Sequence, residues 1–199
     1  LGQARRLAKK GAYTGSLTTD RSYMTFANYS RLPITTDFTF SGWYYIRNQN
    51  GNSKYTRIVA RSGNNSTTGW GVQMQNSLDA VTLYDGNGKT VKIASGLDLQ
   101  NKWCHIAFVY AGTTASIYMN GACVASGTIV GAMQNTRTIG VGNSDGNQDA
   151  WLSGTLDEVR VSSVARSADW TKAEYDTVMT ADFLSCGAVA PVAPSALAI

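Results

Sequence analysis

From Asn101 to Gly121 the chain alternates with period two. Ile106, Phe108 and Tyr110 share one parity, and Ala107 and Val109 the other; Ile117 and Met119 alternate with Ser116 and Tyr118. β-Branched and aromatic residues dominate both runs, which is the composition of a pleated, half-buried surface. Ala111-Gly112-Thr113-Thr114 separates the two runs, and Asn120-Gly121 sends the chain into Ala122–Ser126. Asn-Gly is a strong hairpin signal because both residues tolerate positive φ. The pattern predicts a three-stranded antiparallel meander entered at Trp103. A sheet of this kind must bury its apolar face against a second layer.

Further strands are predicted over Ser22–Asn28, Asp37–Arg47, Tyr55–Arg61, Gly69–Gln75, Ala80–Tyr84, Thr90–Ala94, Arg137–Val141 and Trp151–Val161, while Leu1–Lys10 reads as a strand or an arm. Within Asp37–Arg47, Phe38 and Phe40 have one parity and Trp43 and Tyr45 the other. Either both faces of this strand are covered, or a bulge at Ser41-Gly42 resets the alternation; the bulge is preferred, since glycine inside a strand often marks one. Ser167–Met179 is helical in character, with Ser167 as cap, Asp169 in the first turn and Trp170 as the expected anchor. Phe183-Leu184 is a candidate last strand, and residues 187–199 are an Ala/Pro-rich linker or tail behind a domain of residues 1–186. About a dozen strands with regular turns and one short C-terminal helix imply an all-β, two-sheet antiparallel sandwich.

Composition narrows the function. Only 15% of the 199 residues are charged, a balance common among extracellular β-proteins. The net charge of +4 owes much to Arg5, Arg6, Lys9 and Lys10 in one segment. Positives confined to one segment and not interleaved with aromatics read as a solvated face, so no nucleic-acid partner is expected. No run approaches the roughly 18 apolar residues of a membrane helix, so no membrane insertion is expected. The chain begins at Leu1 and is expected to be a fragment or processed form, so the lack of a signal leaves its destination open. Of three cysteines, Cys104 and Cys123 fall on strands flanking the middle strand of the meander. Next-nearest strands lie about 9–10 Å apart, so the two are either bonded across a bent sheet or two small buried thiols.

Phe38-Thr39-Phe40-Ser41-Gly42-Trp43, Lys102-Trp103-Cys104-His105-Ile106-Ala107, Ile117-Tyr118-Met119-Asn120-Gly121 and Gly154-Thr155-Leu156-Asp157-Glu158-Val159-Arg160-Val161 stand in an order and spacing that resembles laminin G-like, concanavalin A-like jelly-roll domains. The likeness is nearest to the bacterial laminin G-like/pentraxin-like branch and covers Ser22 to Ala165. It implies a jelly-roll sandwich, an extracellular or cell-surface setting, and a module of a longer parent chain whose other domains are partners. It also implies a structural calcium ion, with Asp157 as the motif position that carries over as a metal ligand.

Such folds host binding domains and glycosidases alike. Glycoside hydrolysis needs two carboxylates about 5–9.5 Å apart, which jelly-roll glucanases place as alternate acids on one strand. No such alternation occurs here. Asp157 and Glu158 are adjacent, so a regular strand sends them to opposite faces. They read as structural, one capping backbone donors or a metal, the other pairing with Arg160 or a loop. His105, the one histidine, has Cys104 on the opposite face and reads as packed. No catalytic residue is therefore expected. Sugars stack on aromatic rings, with amides and carboxylates taking the hydroxyls. Trp43 and Trp103 are expected in the core. Trp70 and Trp151 abut polar loops, and Tyr84 adjoins Asp85 and Asn87, so these three are the candidate ligand contacts. Asn143, Asp145 and Asn147 complete the candidate site, with Asn76 and Asp149 nearby; Asp145 and Asp149 could equally hold calcium. The expected partner is a glycan, or alternatively an extracellular protein.

Overall fold

A computed structural model describes residues 5–7, 24–26, 37–47, 55–61, 69–75, 81–85, 90–92, 99–129, 138–143, 152 and 154–180. The strands in chain order are β1 (Arg5–Leu7), β2 (Met24–Phe26), β3 (Phe38–Ile46), β4 (Tyr55–Arg61), β5 (Trp70–Gln75), β6 (Val81–Asp85), β7 (Thr90–Lys92), β8 (Trp103–Ala111), β9 (Thr114–Met119), β10 (Ala122–Thr128), β11 (Ile139–Val141) and β12 (Gly154–Ser162), followed by helix α1 (Ala168–Met179). They form two six-stranded sheets, one in the order β1-β12-β3-β8-β9-β10 and the other β2-β11-β4-β5-β6-β7. The predicted meander is β8-β9-β10, and its Asn120-Gly121 turn has φ of 49° and 78°, the paired left-handed values an Asn-Gly turn requires. The N-terminal segment left open as strand or arm is strand β1, paired with β12. Phe183-Leu184 and the Ala/Pro tail lie outside the described residues.

The core lies between the sheets and follows strand parity. Phe38, Phe40, Tyr44 and Ile46 of β3 meet Ile106, Phe108 and Tyr110 of β8, Ile117 of β9, and Ile58, Val72, Met74 and Leu83 of the opposite sheet. Trp70 crosses the gap. Its ring centroid is 4.7 Å from that of Phe38 and 5.6 Å from that of Phe108. Rings at such separations and tilts pack favourably beyond their buried area.

The outer face of the first sheet is covered as well, which is why β3 is buried along almost its whole length. The register from Phe38↔Tyr110 to Tyr45↔Trp103 runs without a shift, so β3 carries no bulge at Ser41-Gly42. The bulge sits in the neighbouring strand, between Asp157 and Arg160 of β12. Gly42 is the residue that makes room for it: a Cβ there would lie 3.3 Å from Val159 Cγ2. The alternating parities of Phe38/Phe40 and Trp43/Tyr45 thus reflect two buried faces, one under the opposite sheet and one under α1. Ser167 caps the helix by accepting a hydrogen bond from the Trp170 N–H at 3.1 Å, as its sequence implied. The anchor is Tyr175 rather than Trp170: Tyr175 stacks on Trp43 with centroids 5.6 Å apart. The Trp170 ring instead carries the Arg166 guanidinium, 4.8 Å from its centroid.

Cys104 is buried, Cys123 exposed, and both are free thiols on β8 and β10 with β9 between them. Burial pushes the Cys104 thiol up to about 12, against a smaller lowering by Lys102.

Candidate functional site

The strongest polar cluster lies between α1 and the first sheet. Glu174 accepts hydrogen bonds from Ser41 Oγ at 2.9 Å and from Arg160 Nη1 at 2.5 Å. Its second oxygen is 3.5 Å from His105 Nε2. Among the described residues neither ring nitrogen of His105 has a hydrogen-bond partner, so that last contact is electrostatic rather than a well-formed hydrogen bond. Burial drives the Glu174 carboxyl up, but His105, Arg160 and Ser41 outweigh burial and hold it below the usual carboxylate range. His105 and Glu174 are both buried. A substrate has no access to them, so the cluster locks the helix in place, and His105 is the packed histidine expected.

The β12 bulge also disposes of the acid pair. Glu158 takes φ of 51°, and its carboxylate pairs with Arg160, as one reading of the sequence expected. Asp157 Oδ1 accepts the Glu158 N–H at 2.9 Å. Arg160 also holds Glu174 on the helix side, so the bulge brings Glu158 to that side instead of the opposite face predicted for a regular strand. Both carboxylates are thereby engaged in local structure rather than standing across an open groove. Among the described residues no three His, Cys, Asp or Glu side chains gather around a metal position. Asp145 and Asp149 lie outside the described residues.

The candidate ligand contacts separate. Trp70 is 0% exposed in the core, so it cannot meet a ligand; a strand-end position next to a polar loop did not make it a rim residue, because its parity points inward. Asn143 is also buried, and its 1% exposure removes it from the surface. Tyr84 is half-buried on the outer face of the second sheet, but both faces of its ring are taken. One lies over Gly71, where even a Cβ would collide with the ring, and the other carries the Arg57 guanidinium, 4.5 Å from the centroid. Arg57 in turn donates to Gln73. Tyr84 therefore offers an edge but no stacking face. Trp151, Asp145 and Asn147 lie outside the described residues.

The aromatic surface is instead made by Trp103, expected in the core and found 42% exposed. It is paired in register with Tyr45, and the two rings meet edge to face with centroids 5.7 Å apart. The pair continues the row Trp43–His105 on the same outer face, beyond the part that Tyr175 covers. The β12 register adds Thr155 opposite Tyr45 and Asp157 opposite Trp43. Directly paired residues of antiparallel strands point to the same side. One sheet face thus presents two aromatic rings, a hydroxyl and a carboxylate. The signal available in the sequence was position: Trp103 is the first residue of its strand and follows the polar run Gln100-Asn101-Lys102, which places it at the end of the sheet face.

No curated protein matches the chain by sequence. Solved structures share its fold. A native heptameric SAP-like pentraxin from Limulus polyphemus superimposes with a TM-score of 0.56 at 15% identity, over 71% of this chain and 70% of that one. A Bacteroides ovatus protein described as a candidate carbohydrate binding protein does so with 0.55 at 18% identity, over 83% and 43%. The botulinum neurotoxin serotype C1 binding domain gives 0.62 at 14% identity, over 88% and 46%. The chain spans less than half the length of the last two. At these identities the likeness is one of fold. The concanavalin A-like lectin/glucanases model Laminin_G_3 matches residues 18–171, most of the chain. With the two-sheet sandwich and the ordered motifs behind it, the chain belongs to that laminin G-like family of the concanavalin A-like superfamily.

Proposed function

We propose that this domain is a non-catalytic recognition module that binds glycan at the Tyr45–Trp103 pair, as an extracellular part of a larger protein. The observation that carries the reading is the outward indole of Trp103, braced by Tyr45 and flanked by Thr155 and Asp157 on the same face. A sugar ring sets its C–H face on such an aromatic and hands its hydroxyls to neighbouring polar groups. The fold family and a neighbour described as carbohydrate binding support this choice. So does the engagement of Asp157 and Glu158 in the β12 bulge, which leaves them no acid-pair role. The extracellular setting is supported by the kind of fold and by the weakly charged composition.

The test is titration of neutral and acidic oligosaccharides, followed by Trp fluorescence and calorimetry, with Trp103→Ala and Tyr45→Ala beside the parent protein. Binding that both variants lose while remaining folded supports the proposal. Binding unaffected by Trp103→Ala refutes it.

A protein ligand is the second reading, favoured by Val178 and Met179, which are 51% and 55% exposed three and four residues beyond Tyr175 on the same helical face. Capture of an extracellular protein that Met179→Glu abolishes and Trp103→Ala spares would select it.

A further inference from the structure

We infer that Asp157 is the specificity-determining residue of this platform, and that the platform takes neutral, hydroxyl-rich glycans and excludes acidic ones. The inference rests on the glycan reading above and sharpens it to a ligand class. Asp157 is paired with Trp43, one step along the same face from Tyr45. Diagonal neighbours of this kind lie about 7–8 Å apart, within reach of one sugar ring and its exocyclic groups.

The β12 bulge settles how the carboxylate is presented. Oδ1 is spent on the Glu158 N–H, which fixes the side chain. Among the described residues Oδ2 accepts no hydrogen bond. The nearest cation on that strand, Arg160, is already shared between Glu158 and Glu174. A half-buried, oriented, acceptor-only oxygen beside an aromatic platform is complementary to a hydroxyl donor. It repels a uronate, sialate or sulfate brought to the same place, since like charges at that separation oppose each other.

Three other charges lie near. Arg6 is in register with Thr155 on the edge strand β1, two strands from Tyr45. Arg47 follows Tyr45 by two residues but stands past the end of β3. Lys102 precedes the first residue of β8, and its charge acts on the Cys104 thiol. In the paired register of the outer face the carboxylate nearest the rings is that of Asp157, one strand from Tyr45, while Arg6 stands two strands from Tyr45, across Thr155.

The experiment titrates the intact chain with trisaccharides of glucose, mannose, galactose and N-acetylglucosamine, and with trigalacturonic acid. Asp157→Asn and Trp103→Ala are measured in parallel, with near-UV circular dichroism and thermal unfolding as controls for folding. The expected result is binding of at least one neutral trisaccharide and none of the acid. Asp157→Asn weakens the neutral ligand about tenfold, the size of one charged hydrogen bond, and lets the acid bind. Trp103→Ala removes both. Parent protein that binds trigalacturonic acid as well as the neutral sugars overturns the inference. So does an Asp157→Asn variant with unchanged preference; in either case loss of binding in Trp103→Ala leaves the platform standing. No binding of any of these glycans by the parent protein overturns both.

Discussion

Replacing Glu174 by alanine tests the lock between helix and sheet. The Glu174 side chain is 4% exposed and holds two hydrogen bonds and an electrostatic contact from three different strands. Ser41 Oγ, on a buried residue, loses its acceptor, and an unsatisfied buried hydroxyl costs about 1–3 kcal/mol. Arg160 is half-exposed and regains water, so its ion pair contributes only about 0.5–1 kcal/mol. One methylene leaves the interface, at about 0.8 kcal/mol. Together these amount to about 3 kcal/mol, which for a chain of this length lowers Tm by roughly 6–12 °C. Urea unfolding followed by circular dichroism and Trp fluorescence measures the difference. Lys172→Ala, which breaks an exposed pair with Asp176, serves as the control and changes stability by at most about 0.5 kcal/mol. A Glu174→Ala variant as stable as that control would show that the buried cluster contributes nothing net. Ser41→Ala combined with Glu174→Ala should cost clearly less than the two changes summed, because they share a hydrogen bond.

Because the folded protein holds the Glu174 carboxyl below its usual range, the stabilisation is present above the ordinary glutamate value of about 4.3 and is lost as pH falls through the lower folded value; acid titration of unfolding stability should show this loss, and Glu174→Gln should flatten it. Gly154→Ala should destabilise by more than about 2 kcal/mol in the same urea assay, since a Cβ there collides with the Tyr45 carbonyl oxygen. With the third cysteine of the sequence, Cys186, replaced by serine, Cys123 should react with a thiol reagent in the native state while Cys104, buried and raised to about 12, reacts only on unfolding; mass spectrometry after timed labelling separates them.

Most of the sandwich was legible because strand periodicity and turn chemistry are local. The meander, its Asn-Gly turn and the Ser167 cap lie within windows of a few residues, and each is found as expected. What failed was non-local. The parity change in β3 pointed to a bulge at Ser41-Gly42, but a helix more than 120 residues later covers that face, and the bulge belongs to the adjoining strand. Trp70 beside a polar loop resembled a rim residue, yet only the pairing of β5 tells which side of the sheet its indole takes. Trp103 sat in a motif and resembled core, yet its exposure depends on where α1 stops. Tyr84 lost its stacking faces to Gly71 and Arg57, each brought in by a neighbouring strand. The sugar-contact surface was therefore the least readable part, because it is a property of cross-strand neighbours rather than of any one segment.

The bond between Ser41 and Glu174 joins residues 133 positions apart. Contacts of such sequence separation form late, after the loop entropy of the intervening chain has been overcome. Synthesis delivers the N-terminal portion first, so Trp43 and His105 emerge long before Tyr175 can cover them. Until the last turn of α1 leaves the ribosome, the nascent domain carries an unroofed aromatic row, and the helix acts as the closing step of its biogenesis.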